Sequence, residues 1–176
     1  MELKSYQKEV IADLARYLEL VVELQSPAKA YHTLWNEKNV MVGLGGLPNY
    51  VNTLPGIPHV CAKVPTGGGK TFIAASAVRT IFDAIPQRRA KAVVWLVPSE
   101  AILTQTLRAL NNPDHPYRQR LDVDFGGRVQ VYSKEQALMG QNFSPSVVSE
   151  QLSVFVFSYD SFRTSKKDGR KAYQQN

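Results

Sequence analysis

Cysteine occurs once in the 176 residues, at Cys61, so no intrachain disulfide can form. Histidine is nearly as scarce: His32, His59 and His115 are scattered, and their spacing matches no zinc-ligand set. No apolar run approaches the ~20 residues of a helical membrane span, and Met1-Glu2-Leu3-Lys4 opens an amphipathic pattern, not a secretory signal. These absences set aside disulfide scaffolds, zinc modules and membrane helices, and they predict a cytoplasmic chain with no membrane partner. Excess charge of one sign is confined to one place. The formal charge is +6, but Arg163, Lys166, Lys167, Arg170 and Lys171 against Asp168 supply +4 of it. The remainder is almost balanced, so the basic character belongs to a solvated terminal tail and argues only weakly for a nucleic-acid surface.

With 44% hydrophobic and 20% charged residues, the chain fits one folded domain with a sizeable core. Leu3, Tyr6, Val10, Leu14, Tyr17, Leu18, Val21 and Val22 recur at helical spacing and predict an amphipathic helix over residues 5–24, ended by Ser26-Pro27. A shorter helical pattern over 28–37 runs into Gly43, Gly45, Gly46, Pro48, Pro55, Gly56 and Pro58, which is loop chemistry. Residues 25–56 therefore read as an insert ahead of a core at 57–162, with a basic tail at 163–176. Within that core, Ile57 to Val64 is apolar and β-leaning and predicts a strand, with Cys61 as a small core residue. A helical pattern over 71–84 follows and stops at Pro86. Ala92 to Val97 reads as a buried strand ended by Pro98, and Ser99 as the N-cap of a helix that places Ile102, Leu103, Leu107 and Leu110 on one face. Val129–Tyr132 and Val154–Phe157 read as two further short strands. Trp35, Trp95 and the Val154–Phe157 run read as core because apolar neighbours surround them. Strands alternating with helices predict an α/β fold with a mostly parallel sheet and helices on both faces.

Pro65-Thr66-Gly67-Gly68-Gly69-Lys70-Thr71 carries the chemistry. Three glycines followed by Lys-Thr, between a predicted strand and a predicted helix, match the core of a phosphate-binding loop. Glycines let backbone N–H groups curl around phosphate oxygens, and the following helix directs its positive end at the same anion. Thr66, Gly67, Gly68 and Gly69 would cradle the phosphates, Lys70 would reach the β and γ groups, and Thr71 would ligate Mg²⁺. A glycine-rich helix cap is the competing explanation, but a cap needs one glycine, not three plus Lys-Thr. The strict pattern places glycine where this chain has Val64, so the entry to the loop is shaped differently.

Leu3-Lys4-Ser5-Tyr6-Gln7 resembles the adenine-reading Q motif of superfamily 2 helicases, whose glutamine amide can both donate to and accept from the base edge. Pro65–Thr71 resembles their motif I, and Pro98 to Gln105, directly after a strand, resembles motif Ia, which lies on the nucleic-acid backbone in that superfamily. Gly126-Gly127 and the stretch from Val154 to Phe162 fall where later strand-end contacts would be expected. The runs His59–Thr71 and Val93–Thr106 together look most like the amino-terminal part of the Res subunit of type III restriction enzymes, a helicase-like DNA translocase. The resemblance implies a RecA-like P-loop domain, ATP and Mg²⁺ as cofactors, and duplex DNA and a modification subunit as partners. It implies adenine contact by Gln7, catalytic roles for Lys70 and Thr71, and nucleic-acid contacts at Pro98, Ser99, Gly126, Gly127 and Ser158. Glu100 departs from the basic residue that many relatives carry, although Ser99 and backbone N–H groups can still hold phosphate.

A motor of this kind also needs an acidic Asp-Glu box after an apolar strand, and no Asp-Glu dipeptide occurs in the chain. Asp160 is displaced from its strand by Ser158-Tyr159, and Asp122-Val123-Asp124 lacks a preceding strand. The expectation is a first motor domain truncated before the acidic-box strand, able to bind ATP without turning it over. A nucleotide-binding regulatory or interaction module with no DNA role is the alternative, and a P-loop kinase a third.

Overall fold

A computed structural model describes residues 2–84, 90–140 and 144–162. The basic tail at 163–176 and Pro86 lie outside the described residues. The chain divides into two compact units, residues 1–86 and 87–176.

In the first unit, helix α1 spans Ser5–Leu24 and α2 spans Pro27–Glu37. Gln25 adopts a left-handed conformation that ends α1, and Ser26 caps α2 by accepting a hydrogen bond from the Lys29 N–H. Pro27 fits the first helical position, where its missing N–H costs nothing. The two helices bury Tyr17, Leu18 and Leu20 against Ala30 and Leu34, with Leu14, Val21, Tyr31 and Tyr50 packed around them. Each fully buried Leu contributes about 1.5–3 kcal/mol, which is what holds this helical pair together. Arg16 reaches Glu37, Glu19 and Glu23, and Lys38 reaches Asp13, but these pairs are solvent-exposed and contribute little. Helix α3, Lys70–Asp83, packs on α1 and buries Phe72, Ile73, Ala75, Ser76 and Val78.

Residues 57–64 differ from the expected strand. They form no ladder with any described residue, and Ile57, Val60 and Cys61 are exposed. Cys61 is thus not a core residue. β-leaning composition states only that a segment suits a sheet; the neighbouring strand must be supplied by tertiary structure, and none pairs here.

The second unit is a three-stranded parallel sheet, with β1 at Lys91–Val97, β2 at Val129–Tyr132 and β3 at Leu152–Ser158. The order is β1-β3-β2, with Lys91 and Val129 both level with Leu152. Helices α4 (Glu100–Asn111), α5 (Pro116–Phe125), α6 (Lys134–Leu138) and α7 (Pro145–Glu150) complete the unit, and a 3₁₀ turn at Tyr159–Phe162 follows β3. Strand β3 is central, which explains its nearly continuous apolar run: Leu152, Ser153, Val154 and Val156 are buried, covering residues on both faces. Strand β1 is an edge, and its residues alternate. Val94 and Leu96 stand exposed while Val97 is buried. Helices cover the sheet less completely than expected, since Trp95 is only half-buried. Arg118 braces the unit from α5, donating to both Asp122 carboxylate oxygens and to the Leu110 and Val129 carbonyls.

Candidate nucleotide-binding site

The glycine loop lies in the first unit, immediately before α3. Gly67 and Gly69 have φ of +77° and +72°, values an L side chain resists, whereas Gly68 is required for a different reason. A Cβ on Gly68 would fall 2.6 Å from Val64 Cγ1 and 2.9 Å from the Pro65 carbonyl. Val64, at the position where the strict pattern has glycine, therefore fills the space that Gly68 leaves open. The loop closes on itself through the Gly68 N–H, which donates to the Pro65 carbonyl at 3.0 Å. The Lys70 ammonium folds back onto that same carbonyl at 2.9 Å, remaining solvent-exposed. Thr71 is half-buried in the first turn of α3, and Thr66 is exposed. The Phe72 and Ile73 N–H groups are satisfied by the Gly69 carbonyl. The positive end of α3 thus opens at Gly69-Lys70-Thr71.

Gln7, 61 positions away in sequence, meets this loop: its Nε2 donates to the Gly68 carbonyl at 3.0 Å, and its Oε1 accepts from the Lys4 N–H at 2.9 Å. The side chain is 2% exposed, so both bonds are made in a desolvated setting. Tyr6, the neighbour of Gln7 in the Leu3-to-Gln7 motif, reaches the same carbonyl. Its hydroxyl donates to Gly68 O at 2.6 Å. The motif resemblance implies a role for Gln7 alone, and a tyrosine in the first turn of an amphipathic helix is too common to signal one by itself. A cradle that excludes side chains at three successive positions, with a helix amino end and a lysine beside it, suits a phosphate chain. Among the described residues no group of three His, Cys, Asp or Glu could hold a metal ion.

The residues expected on nucleic acid belong to the second unit and do not all come together. Ser99 caps α4, accepting from the Ile102 N–H, and sits with Pro98 at the carboxyl end of β1. Ser158 ends β3, level with Val97, and its hydroxyl donates to the Glu100 carboxylate. Pro98, Ser99 and Ser158 thus share one end of the sheet with an acidic group among them. Gly126 and Gly127 lie elsewhere. They precede β2, whose first residue is level with the first residues of β1 and β3, so they lie at the amino end of the sheet. That is about 20 Å from the other three, given ~3.3 Å per residue of strand. Their local role is to end α5: both have positive φ, and their N–H groups donate to the Asp122 carbonyl. Asp160 is exposed in the turn after β3, and Asp122 and Asp124 lie in α5.

No helix among the described residues is long and apolar enough to cross a membrane. No curated protein and no solved structure matches the chain. A family model described as "Type III restriction enzyme, res subunit" matches residues 1–176, and with every residue covered this chain belongs to that family of helicase-like, ATP-dependent restriction subunits.

Proposed function

We propose that these residues form the ATP-binding, amino-terminal part of a RecA-like motor domain in a DNA-dependent ATPase, the restriction subunit of a type III system. The observation that carries the reading is the meeting of the glycine loop and Gln7 at the Gly68 carbonyl, since it brings a purine-reading amide to a phosphate cradle. In this reading Thr66 to Lys70 hold the triphosphate, Thr71 holds Mg²⁺, and Gln7 contacts adenine. Mg²⁺ held at Thr71 would supply charge neutralisation for the phosphates. Lys70 adds a second positive charge, and the helix amino end a third contribution. DNA backbone would lie along Pro98, Ser99 and Ser158, with a modification subunit supplying the target sequence. The 176 residues contain no Asp-Glu pair, so they should bind nucleotide without appreciable turnover.

A nucleotide-binding module with no DNA role remains the second reading, favoured by the Glu100 carboxylate at the strand ends, where it would repel phosphate. Thermal denaturation with Mg-ATP tests the nucleotide assignment. Ligand at ~100 times its dissociation constant should stabilise the wild-type chain by about 2.7 kcal/mol, and Lys70→Ala should lose most of that gain. Equal stabilisation of both proteins would remove the phosphate loop from the argument.

A further inference from the structure

The Gly68 carbonyl is the loop acceptor that donors from the start of α1 hold: Tyr6 Oη at 2.6 Å and Gln7 Nε2 at 3.0 Å, one for each lone pair. A peptide unit is planar and trans, so its carbonyl oxygen and the next residue's N–H point in opposite directions. Fixing Gly68 O toward α1 therefore aims the Gly69 N–H away from α1. That N–H directly precedes Lys70, and it has no acceptor among the described residues.

We propose that Tyr6 is a positioning residue of the nucleotide site, its hydroxyl orienting the Gly68–Gly69 peptide so that the Gly69 N–H faces a phosphate oxygen. The inference rests on the nucleotide-binding reading and deepens it. Gln7 shares this work, with one amide hydrogen on Gly68 and one Oε1 lone pair on the Lys4 N–H. It keeps a second amide hydrogen and a second oxygen lone pair, so a base edge would compete with the loop for the orientation of the same side chain. Tyr6 makes the shorter bond and keeps the carbonyl in place when Gln7 turns to the base. The hydroxyl also lies 3.3 Å from where a Gly68 Cβ would stand, so it borders the loop and closes its α1 side. At 38% exposure the Tyr6 ring contributes little to the core, and Tyr6→Phe removes the donor while keeping the ring.

The test uses the 176-residue chain, wild type and Tyr6→Phe, titrated with Mg-ATP and with inorganic tripolyphosphate. The amide spectrum of each ligand-free protein is recorded alongside. Tyr6→Phe should weaken both ligands alike, by about three- to ten-fold, the effect of one hydrogen bond. Its ligand-free Gly69 amide resonance should move, with the unliganded melting temperature nearly unchanged. Gln7→Ala, by contrast, should weaken ATP more than tripolyphosphate. An unmoved Gly69 amide, or unchanged tripolyphosphate affinity, overturns the positioning role and leaves the nucleotide reading standing. A Tyr6→Phe chain that melts early yet binds normally when folded reduces Tyr6 to fold support and overturns it too. Wild-type protein that binds neither ligand overturns both inferences together.

Discussion

Alanine at Gly67 and alanine at Gly69 impose nearly the same backbone strain and differ in a single contact, which makes the pair a measurement of the Gln7 bond to the loop. Both positions have φ between +70° and +80°, and an L residue held there costs about 1–2 kcal/mol. A Cβ on Gly67 meets nothing within 4 Å, whereas one on Gly69 would fall 2.7 Å from Gln7 Nε2. The amide must then leave the Gly68 carbonyl. Because Gln7 is 2% exposed, its displaced amide loses a partner where little water can replace it, which adds about 1–3 kcal/mol. Gly67→Ala should therefore destabilise by about 1–2 kcal/mol and Gly69→Ala by about 2–5. Urea unfolding followed by Trp35 fluorescence in a Trp95→Phe background reads the first unit, since Trp35 is then the sole tryptophan of the chain. The decisive step is a double-mutant cycle. In a Gln7→Ala background the obstructing amide is gone, so the Gly69→Ala loss should fall to the Gly67→Ala level, a coupling of about 1–3 kcal/mol. Equal losses for the two alanines, or strict additivity of Gly69→Ala with Gln7→Ala, would refute the reasoning.

Two further outcomes follow from the other unit and from the helical pair. Glu100→Gln removes a negative charge from the strand ends beside Ser99 and Ser158. It should raise duplex DNA affinity by about two- to five-fold near 0.05 M salt and progressively less as salt increases; unchanged or weaker binding across a salt titration would place DNA elsewhere. In the α1–α2 pair, burial, with help from Tyr50, raises the Tyr17 phenol above its ordinary value. A group whose folded value is raised stabilises fully below its unfolded value and loses that contribution as pH rises past it. Unfolding free energies of wild type should therefore fall above about pH 10, while Tyr17→Phe should show a flatter profile there. Parallel profiles would assign the alkaline loss to other groups.

What the sequence determined by itself is what neighbouring residues settle among themselves. The bounds of α1, its end ahead of Ser26-Pro27, the cap at Ser99 and the two short strands β2 and β3 all follow from apolar spacing and capping within a few positions. The candidate phosphate loop is legible for the same reason, since three glycines and Lys-Thr are contiguous. Helix α5 was not separable from irregular chain because its charged and apolar residues do not sort onto faces, and its capping histidine is a weak signal. Tertiary structure alone decided the rest. It placed Tyr6 and Gln7 on the Gly68 carbonyl across 62 and 61 positions, left residues 57–64 without a strand partner, and made β3 the centre of the sheet. The parallel register then carried Gly126 and Gly127 to the end opposite Ser99 and Ser158. Pairings of this kind depend on which buried surfaces repay the entropy of closing long loops, a balance struck over the whole unit and absent from any local window.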